Sequence, residues 1–124
     1  MNTGRVVLVC GGRGYDDRDR VFRVLDGLHA SDPIGLLRHG DAPGADALAD
    51  EWARRRGVRR DPVPAEWDRY RRLDGKNPAG AIRNRVMLVR EPRPVLVVAF
   101  PGGDGTADMV RQSRRAGATV LEVS

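Results

Sequence analysis

The sequence is poor in the features that mark secreted, membrane-spanning and metal-binding proteins. Cys10 is the only cysteine among the 124 residues, which excludes a disulfide within the chain. No apolar run approaches the roughly 20 residues that a membrane-spanning helix needs, and the first residues carry no signal-peptide pattern. No cluster of His, Asp and Glu suggests a metal site, so we expect neither a metal nor a cofactor. These absences predict a cytoplasmic protein with no membrane partner.

The basic residues are nearly all arginine. The chain has 22 Lys and Arg against 17 Asp and Glu, and Lys76 is the single lysine, so 21 of the 22 are Arg. An arginine excess is typical either of nucleic-acid or phosphate binding or of a genome rich in G and C. The arginines are scattered among acids and form no basic block. This pattern favours the genomic explanation and argues against a nucleic-acid partner.

Short apolar runs alternate along the chain with amphipathic segments. Runs typical of buried strands lie at 5–10, 35–39, 58–63, 95–100 and 119–123. The spacing of apolar residues predicts helices from Asp16 or Asp17 to 31 and over 45–56, 77–89 and 106–116, whereas 64–76 favours a loop or short turns. We therefore predict one domain over residues 1–124. Its fold class is α/β, a Rossmann-like three-layer sandwich with a five-stranded parallel sheet.

Right-handed crossovers between parallel strands favour the strand order 3-2-1-4-5. The direction of the winding then reverses between the first and fourth strands, and ligands bind beyond the carboxyl ends of the strands at such a point. Three glycine-containing loops, at residues 11–14, 40–44 and 101–105, would meet there. The sequence therefore predicts a ligand-binding crevice at this edge of the sheet.

The loop at residues 101–106 has the layout of an anion-binding loop. It reads Pro-Gly-Gly-Asp-Gly-Thr, follows an apolar strand and precedes a helix. Glycines let a ligand approach the backbone amides, and the unpaired N–H groups of a helix start attract anions. We expect Thr106 to cap the helix and to donate its hydroxyl to the ligand. The loop predicts a phosphate or ribose site, the alternative being a tight turn in which the glycines serve only geometry.

Five motifs lie along the chain: GGRGY at 11–15, HGDAPGAD at 39–46, PAEW at 64–67, IRNRVM at 82–87 and AFPGGDGTADM at 99–109. Together they resemble the YspA-like family of the SLOG superfamily, which also contains the Lonely Guy phosphoribohydrolases and the DNA-processing protein DprA. The resemblance covers nearly the whole chain. It implies a Rossmann-like sheet that binds a nucleotide or nucleotide-derived ligand, and a homodimer or higher homo-oligomer.

Members of this branch are common in phages, in mobile elements and near bacterial defence genes. On this resemblance we expect a protein that senses or sequesters a nucleoside phosphate or an ADP-ribose-type signal. A phosphoribohydrolase or N-glycosidase acting on nucleoside monophosphates is the first alternative. A DprA-like nucleic-acid binder, suggested by the arginine excess, is the second.

Candidate ligand-binding residues lie in all three loops and in the third helix. Arg83 matches the arginine of the Lonely Guy active-site motif, and its guanidinium suits phosphate or a ribose hydroxyl. Arg13 can reach a phosphate, and Tyr15 either stacks on a base or covers the sheet edge. The full set is Gly11, Gly12, Arg13, Tyr15, Gly40, Gly44, Asp46, Arg83, Asn84, Pro101, Gly102, Gly103, Gly105 and Thr106.

Met109 is the position that separates binding from cleavage. The Lonely Guy pattern has a glutamate there, and cleavage of an N-glycosidic bond needs a carboxylate near the sugar. Asp108 is the neighbouring replacement, so Arg83 and Asp108 are the expected catalytic residues of an enzyme. Asp46 either binds a ribose hydroxyl or only caps the second helix. The sequence thus favours a site that holds a nucleotide-like ligand over one that cuts it.

The two tryptophans have different expected roles. Trp52 lies on the apolar face of the second helix and is expected in the core. Trp67 lies in the irregular segment with Tyr70, and fits a lid, a base-stacking surface or a dimer contact. Cys10 follows four apolar residues and is expected to be an inert core thiol, and His39 is expected to be structural.

Overall fold

Residues 4–124, which a computed structural model describes, form five strands and four helices in alternation; residues 1–3 of the predicted domain lie outside the described part. The elements are β1 (Arg5–Cys10), α1 (Arg18–Ser31), β2 (Ile34–His39), α2 (Ala45–Arg56), β3 (Arg59–Pro62), α3 (Ala79–Val89), β4 (Leu96–Ala99), α4 (Asp104–Arg115) and β5 (Thr119–Glu122). All four strand pairings are parallel, in the order β3-β2-β1-β4-β5. This confirms the predicted Rossmann-like sheet and its order.

The core lies on both faces of the sheet. Alternate residues of β1 point to opposite sides, as they must in a strand. Val7 and Val9 pack in a cluster with residues of α1 and α2, including Trp52, whereas Leu8 and Cys10 pack with residues of α3 and α4. Fully burying each such apolar side chain contributes roughly 1.5–3 kcal/mol. The sheet is therefore the middle of three layers, and Trp52 is a core residue as the sequence predicts.

An aspartate joins the two helices of one layer. The indole Nε1 of Trp52 donates to Asp26 Oδ1 at 2.8 Å, and Arg56 donates to both oxygens of the same carboxylate at 2.8 and 2.9 Å. The bonds from Arg56, and then that from Trp52, lower the pKa of Asp26 to about 2. Asp26 therefore stays ionised at neutral pH and fixes α1 against α2.

The helix that carries Arg83 is anchored by a buried arginine of β2. Arg38 is fully buried, and its guanidinium donates to Asp61 Oδ2 at 2.7 Å and to the carbonyls of Met87 and Pro92 at 2.8 and 3.1 Å. A buried guanidinium needs such partners for its donors. Arg38 thereby fixes the C-terminal end of α3 relative to the sheet.

The helix α4 begins two residues earlier than predicted. Its N-cap is Gly103, and the first helical bond runs from the Ala107 N–H to the Gly103 carbonyl at 3.0 Å. Thr106 is therefore inside the first turn, and the prediction that it caps the helix is wrong. The reason is that the glycine loop itself adopts the first turn, which leaves no place for a capping side chain.

Other boundaries shift by one or two residues. Strands β3 and β4 are each one residue shorter at both ends than predicted. Helix α3 begins at Ala79, whose N–H donates to the Asn77 side chain at 3.0 Å.

Within the described residues no helix is long and apolar enough to cross a bilayer, and no group of acidic, His and Cys side chains is arranged to hold a metal ion.

Candidate ligand-binding site

A cavity of about 300 Å³ opens at the carboxyl ends of β1, β2 and β4. It lies at the point where the strand order reverses, as the topology predicts for a ligand crevice. The residues that line it come from the loops after β1, β2 and β4 and from α2, α3 and α4. They are Cys10, Gly11, Gly12, Arg13, Ala42, Asp46, Arg83, Asn84, Met87, Gly103, Asp104, Gly105 and Thr106.

The structure brings most of the predicted ligand-binding residues to this one cavity. The exceptions have other places in the fold. Tyr15 packs on Phe100 in the core cluster, with 5.5 Å between ring centroids. Pro101 and Gly102 line a separate cavity between α4 and β5. Gly40 and Gly44 lie behind the cavity wall.

The backbone of Gly12 joins three loops. Its N–H donates to the Pro101 carbonyl at 2.9 Å, and its carbonyl accepts from the N–H groups of Ala45 and Tyr15 at 3.1 and 3.2 Å. The loops after β1 and β4 and the start of α2 therefore hold one another in place. These backbone hydrogen bonds hold together the loops that form the cavity wall.

Two glycines are required by the closeness of this frame. Gly44 has a φ of +79°, a region that disfavours side chains, and a Cβ there would lie 2.6 Å from the Arg13 carbonyl carbon. A Cβ on Gly102 would lie 2.7 Å from the Gly12 nitrogen and against the Thr106 hydroxyl. These glycines shape the site by letting its loops approach.

The N-terminus of α4 opens into the cavity. The N–H groups of residues 104, 105 and 106 have no partner among the described residues, since the first helical bond is made by Ala107. The Thr106 hydroxyl lies at the same wall. Unpaired amides and the positive end of the helix dipole together favour an anion. This wall is therefore suited to a phosphate or carboxylate.

Arg83 lies on α3, beside the loop after β2. Its Nη1 donates to the Gly40 carbonyl, and its Nε donates to Asn84 Oδ1 at 3.2 Å. Burial lowers the pKa of the Arg83 guanidinium; neighbouring Arg13 acts in the same direction and Asp46 opposes it. The group remains a cation at neutral pH. Its Nη2 makes no hydrogen bond within the described residues and is available to a ligand.

Asp46 turns its carboxylate back toward the loop that precedes α2. The residue is 5% exposed, and Oδ2 accepts from the N–H groups of Gly40 and Ala42 at 3.0 and 3.3 Å. Burial raises the pKa of this carboxyl, while His39, the two amides and Arg83 act against the rise. The predicted helix-capping role is wrong, because the N-cap of α2 is Gly44.

His39 has the structural role expected of it. It is 1% exposed, and its Nδ1 accepts from the Asp41 N–H at 3.0 Å. Since Nδ1 accepts, Nε2 carries the proton and donates to Asp50 Oδ1 at 2.8 Å. Asp41 has a φ of +56°, and the imidazole helps to hold the loop in this uncommon conformation.

Asp108 and Met109, the two positions that bear on cleavage of an N-glycosidic bond, do not line the cavity. Asp108 Oδ2 accepts from Asn84 Nδ2 at 3.0 Å and from Gln112 Nε2 at 2.8 Å, and Asp108 does not line the cavity. Met109 is fully buried in the core cluster that contains Leu8. The carboxylates that do line the cavity are those of Asp46 and Asp104.

Four lining residues escaped the sequence reasoning: Cys10, Ala42, Met87 and Asp104. Met87 lies one helical turn after Arg83, so the i to i+4 spacing was an available signal. Cys10 is the last residue of β1, next to the glycine loop. Its burial, together with Asp46, raises the pKa of the thiol to about 12. The floor of the cavity is therefore an uncharged thiol at neutral pH.

The fold and the crevice define a Rossmann-like α/β domain with a cavity at the switch point of its sheet. Residues 5–70 match the sequence profile of the YspA, cpYpsA-related SLOG family. The chain is also 40% identical to the Gene 61 protein of Mycobacterium phage D29, over 94% of each chain. The chain thus belongs to the YspA, cpYpsA-related SLOG family, which confirms the resemblance seen in its motifs.

A solved structure supports the same fold. DNA processing protein A (DprA) from Streptococcus pneumoniae superposes with a TM-score of 0.54 at 19% sequence identity. The match covers 95% of this chain and 58% of the DprA chain. This chain therefore corresponds to little more than half of DprA, and the likeness extends to the Rossmann-like sheet.

Proposed function

We propose that this protein binds a nucleotide or nucleotide-derived small ligand, with its phosphate at the N-terminus of α4. One observation carries the proposal. Residues 104–106, whose amides have no partner among the described residues, line the same cavity as Arg13 and Arg83. Converging backbone and guanidinium donors are the usual means of holding a phosphate group.

The charges around the cavity favour an anion with a neutral, hydroxyl-bearing neighbour. Arg13 and Arg83 repel each other, as the effect of Arg13 on the Arg83 pKa indicates. An anion between them relieves that repulsion. Asp46, on the other side of Arg83, suits a group that donates a hydrogen bond, such as a ribose hydroxyl. A cavity of about 300 Å³ is at the small end of ligand sites, in keeping with a sugar phosphate portion.

Cleavage of an N-glycosidic bond is a second candidate, and Asp46 favours it. Its carboxylate borders the cavity, is almost fully buried and has a raised pKa. A carboxylate in that setting can act on a sugar. Asp108 remains a candidate through its bond to Asn84, although it lies behind the cavity wall.

Nucleic-acid binding has less support from the charge distribution. Most of the described arginines pair with a carboxylate, as Arg60 does with Asp50 and Arg114 with Glu122. Such pairs neutralise the surface locally and leave no continuous basic stripe for a phosphate backbone. Salt-dependent binding to single-stranded DNA would reverse this ranking.

Thermal unfolding in the presence of AMP, ADP-ribose, NAD and inorganic phosphate tests the proposal. We expect at least one nucleotide to raise Tm, because a ligand at 100 times its Kd stabilises the folded state by about 2.7 kcal/mol. Arg83→Ala should weaken the binding of that nucleotide roughly tenfold or more. Arg85→Ala is the matched control, since Arg85 is exposed on the same helix and lies outside the cavity.

The proposal fails if Arg83→Ala and Arg85→Ala respond to every nucleotide as the unaltered protein does. Chromatography of the same mixtures separates binding from cleavage. Free adenine or nicotinamide, released in proportion to protein and lost in Asp46→Asn, would establish the hydrolase instead.

A further inference from the structure

An exposed tryptophan lies beside Arg13, a residue that lines the cavity. Trp67 is 41% exposed and belongs to the irregular segment between β3 and α3. Its ring edge rests on Gly80, where an added Cβ would lie 3.2 Å from the indole. Gly80 is one helical turn before Arg83. The ring therefore lies over the start of the same helix that carries the cavity arginine.

The backbone of Trp67 is tied to that helix. The Asn77 side chain donates from Nδ2 to the Trp67 carbonyl at 2.7 Å, and its Oδ1 accepts from the Ala79 N–H at 3.0 Å. One amide side chain thus links the tryptophan to the first residue of α3. The backbone that carries the indole is therefore fixed by local hydrogen bonds.

Arg13 separates the tryptophan from the cavity. Its guanidinium lies 5.5 Å from the centroid of the Trp67 ring, and the same residue lines the cavity. It makes no hydrogen bond within the described residues, so all its donors are available. A cation over an exposed ring is weakly held, whereas guanidinium and phosphate bind strongly and bidentately. A phosphate in the cavity therefore attracts Arg13 away from the indole.

We propose that Trp67 is the stacking platform for the aromatic base of the ligand, in the position over the ring where the Arg13 guanidinium lies in this structure. Arg13 then moves to the phosphate, and the base covers the ring that it leaves. This inference rests on the proposed function and narrows it: the ligand is a nucleotide with an intact base, and a sugar phosphate lacks one of the contacts. Stacking of one base on an aromatic side chain corresponds to roughly a five- to hundredfold gain in affinity.

Comparison of ribose 5-phosphate with AMP measures the contribution of the base directly. We expect AMP to bind at least about fivefold more tightly in the unaltered protein. Trp67→Leu should bring the two affinities together while leaving that for ribose 5-phosphate unchanged. Trp67→Phe, which keeps an aromatic face, should retain part of the preference. Tyr70→Leu is the matched control, because Tyr70 lies in the same segment and pairs with Arg69 instead.

Intrinsic fluorescence gives a second readout that a structural role would not produce. Trp52 is fully buried, so quenching of the solvent-accessible emission by AMP reports on Trp67. Trp67→Phe should abolish this response, and ribose 5-phosphate should produce none.

The outcomes separate the two proposals. If ribose 5-phosphate and AMP bind equally well to the unaltered protein, the stacking platform is wrong and the phosphate site stands. If neither of them binds, and ADP-ribose and NAD do not bind either, both proposals are wrong. If Trp67→Leu keeps the AMP preference but turns an oligomer into a monomer by light scattering, the tryptophan is a subunit contact and the platform is wrong.

Discussion

Helices α2 and α4 begin in the same way but differ in the hydrogen-bond partners of their first amides. Each follows a parallel strand and a glycine loop, and each has a glycine N-cap with no side-chain capping bond. At α2 the protein fills the position itself, because the Ala45 N–H donates to the Gly12 carbonyl at 3.1 Å. At α4 the amides of residues 104–106 have no partner in the described chain. The fold thus occupies the first amide of α2, whereas none of the first three amides of α4 has a partner among the described residues. We refer to these as the closed start and the open start.

A glycine loop before a helix is therefore not by itself a ligand site. What decides is whether another loop of the same protein reaches the helix start. The loop after β1 does so at α2, where it comes too close to Gly44 for any side chain. The Gly12 N–H of the same loop donates to the Pro101 carbonyl instead, so Gly12 makes no hydrogen bond to the start of α4. The predictions that follow test this comparison of the two helix starts.

The largest effect is expected from Gly44→Ala, at the closed start. The new Cβ would meet the Gly12 carbonyl and lie 2.6 Å from the Arg13 carbonyl carbon, at a φ of +79°. We expect a loss of about 3 kcal/mol or more in the free energy of unfolding, from strain and steric overlap. Urea denaturation measures it. Gly14→Ala is the control, because nothing lies within 4 Å of its added Cβ; equal losses in the two variants would contradict the tight contact.

Asp46→Ala should have the next largest effect. It removes the acceptor of the Gly40 and Ala42 N–H groups, and leaving them unsatisfied costs about 1–3 kcal/mol. Asp46→Asn keeps an acceptor and removes the charge, so it isolates the pH dependence of this carboxyl.

The sign of that pH dependence follows from the raised pKa of Asp46. The folded state prefers the protonated carboxyl. Its stabilising contribution is therefore complete below the unfolded pKa of about 4 and is lost as the pH rises through the raised value. Relative to the unaltered protein, Asp46→Asn should gain stability as the pH rises above the unfolded pKa of about 4. Parallel pH profiles of the two proteins would show that the pKa is not shifted.

Gly105→Ala, at the open start, should have a smaller effect of the opposite sign. Nothing lies within 4 Å of the added Cβ, and replacing a helical glycine by alanine stabilises by roughly 0.5–1 kcal/mol. Because Gly105 lines the cavity, the same change should weaken AMP binding. Gly27→Ala, also without close neighbours and exposed in α1, should stabilise equally and leave binding unaltered. Destabilisation by Gly105→Ala would mean that the helix start is as crowded as that of α2.

The last prediction concerns the reactivity of Cys10, on the cavity floor, and involves no change in stability. With its thiol pKa raised to about 12, little thiolate exists at neutral pH. Maleimide should label the folded protein at least about a hundredfold more slowly than the urea-unfolded chain. Mass spectrometry follows the reaction. Equal rates would show that the floor of the cavity is open and polar.

The sheet was predictable because its evidence is local and repeated. Apolar runs such as residues 5–10 and 95–100 mark strands buried on both faces, and the handedness of the crossovers then restricts their order. The same topology predicts that the loops after β1, β2 and β4 meet. Arg83 and Thr106 were found in this way, through motifs on elements that the fold brings together.

The details of the site depend on contacts that no pattern records. Asp46 looks like a helix cap in the sequence, but its carboxylate is directed by a loop in which Asp41 has a positive φ. Met109 follows the glycine loop closely, yet its side chain is buried in the core cluster that contains Leu8. Trp67 lies in a segment without periodicity, so its place over Gly80 required three-dimensional information.

The position of Gly12 has a consequence for how the protein acquires its site during folding. The partners of this one peptide unit, Ala45 and Pro101, are far apart in the sequence, so they meet only after the strands on both sides of β1 have docked. Such non-local contacts form late and slow the folding of a chain. We therefore expect no half of this chain to bind a ligand alone, and binding during refolding to appear together with the global transition.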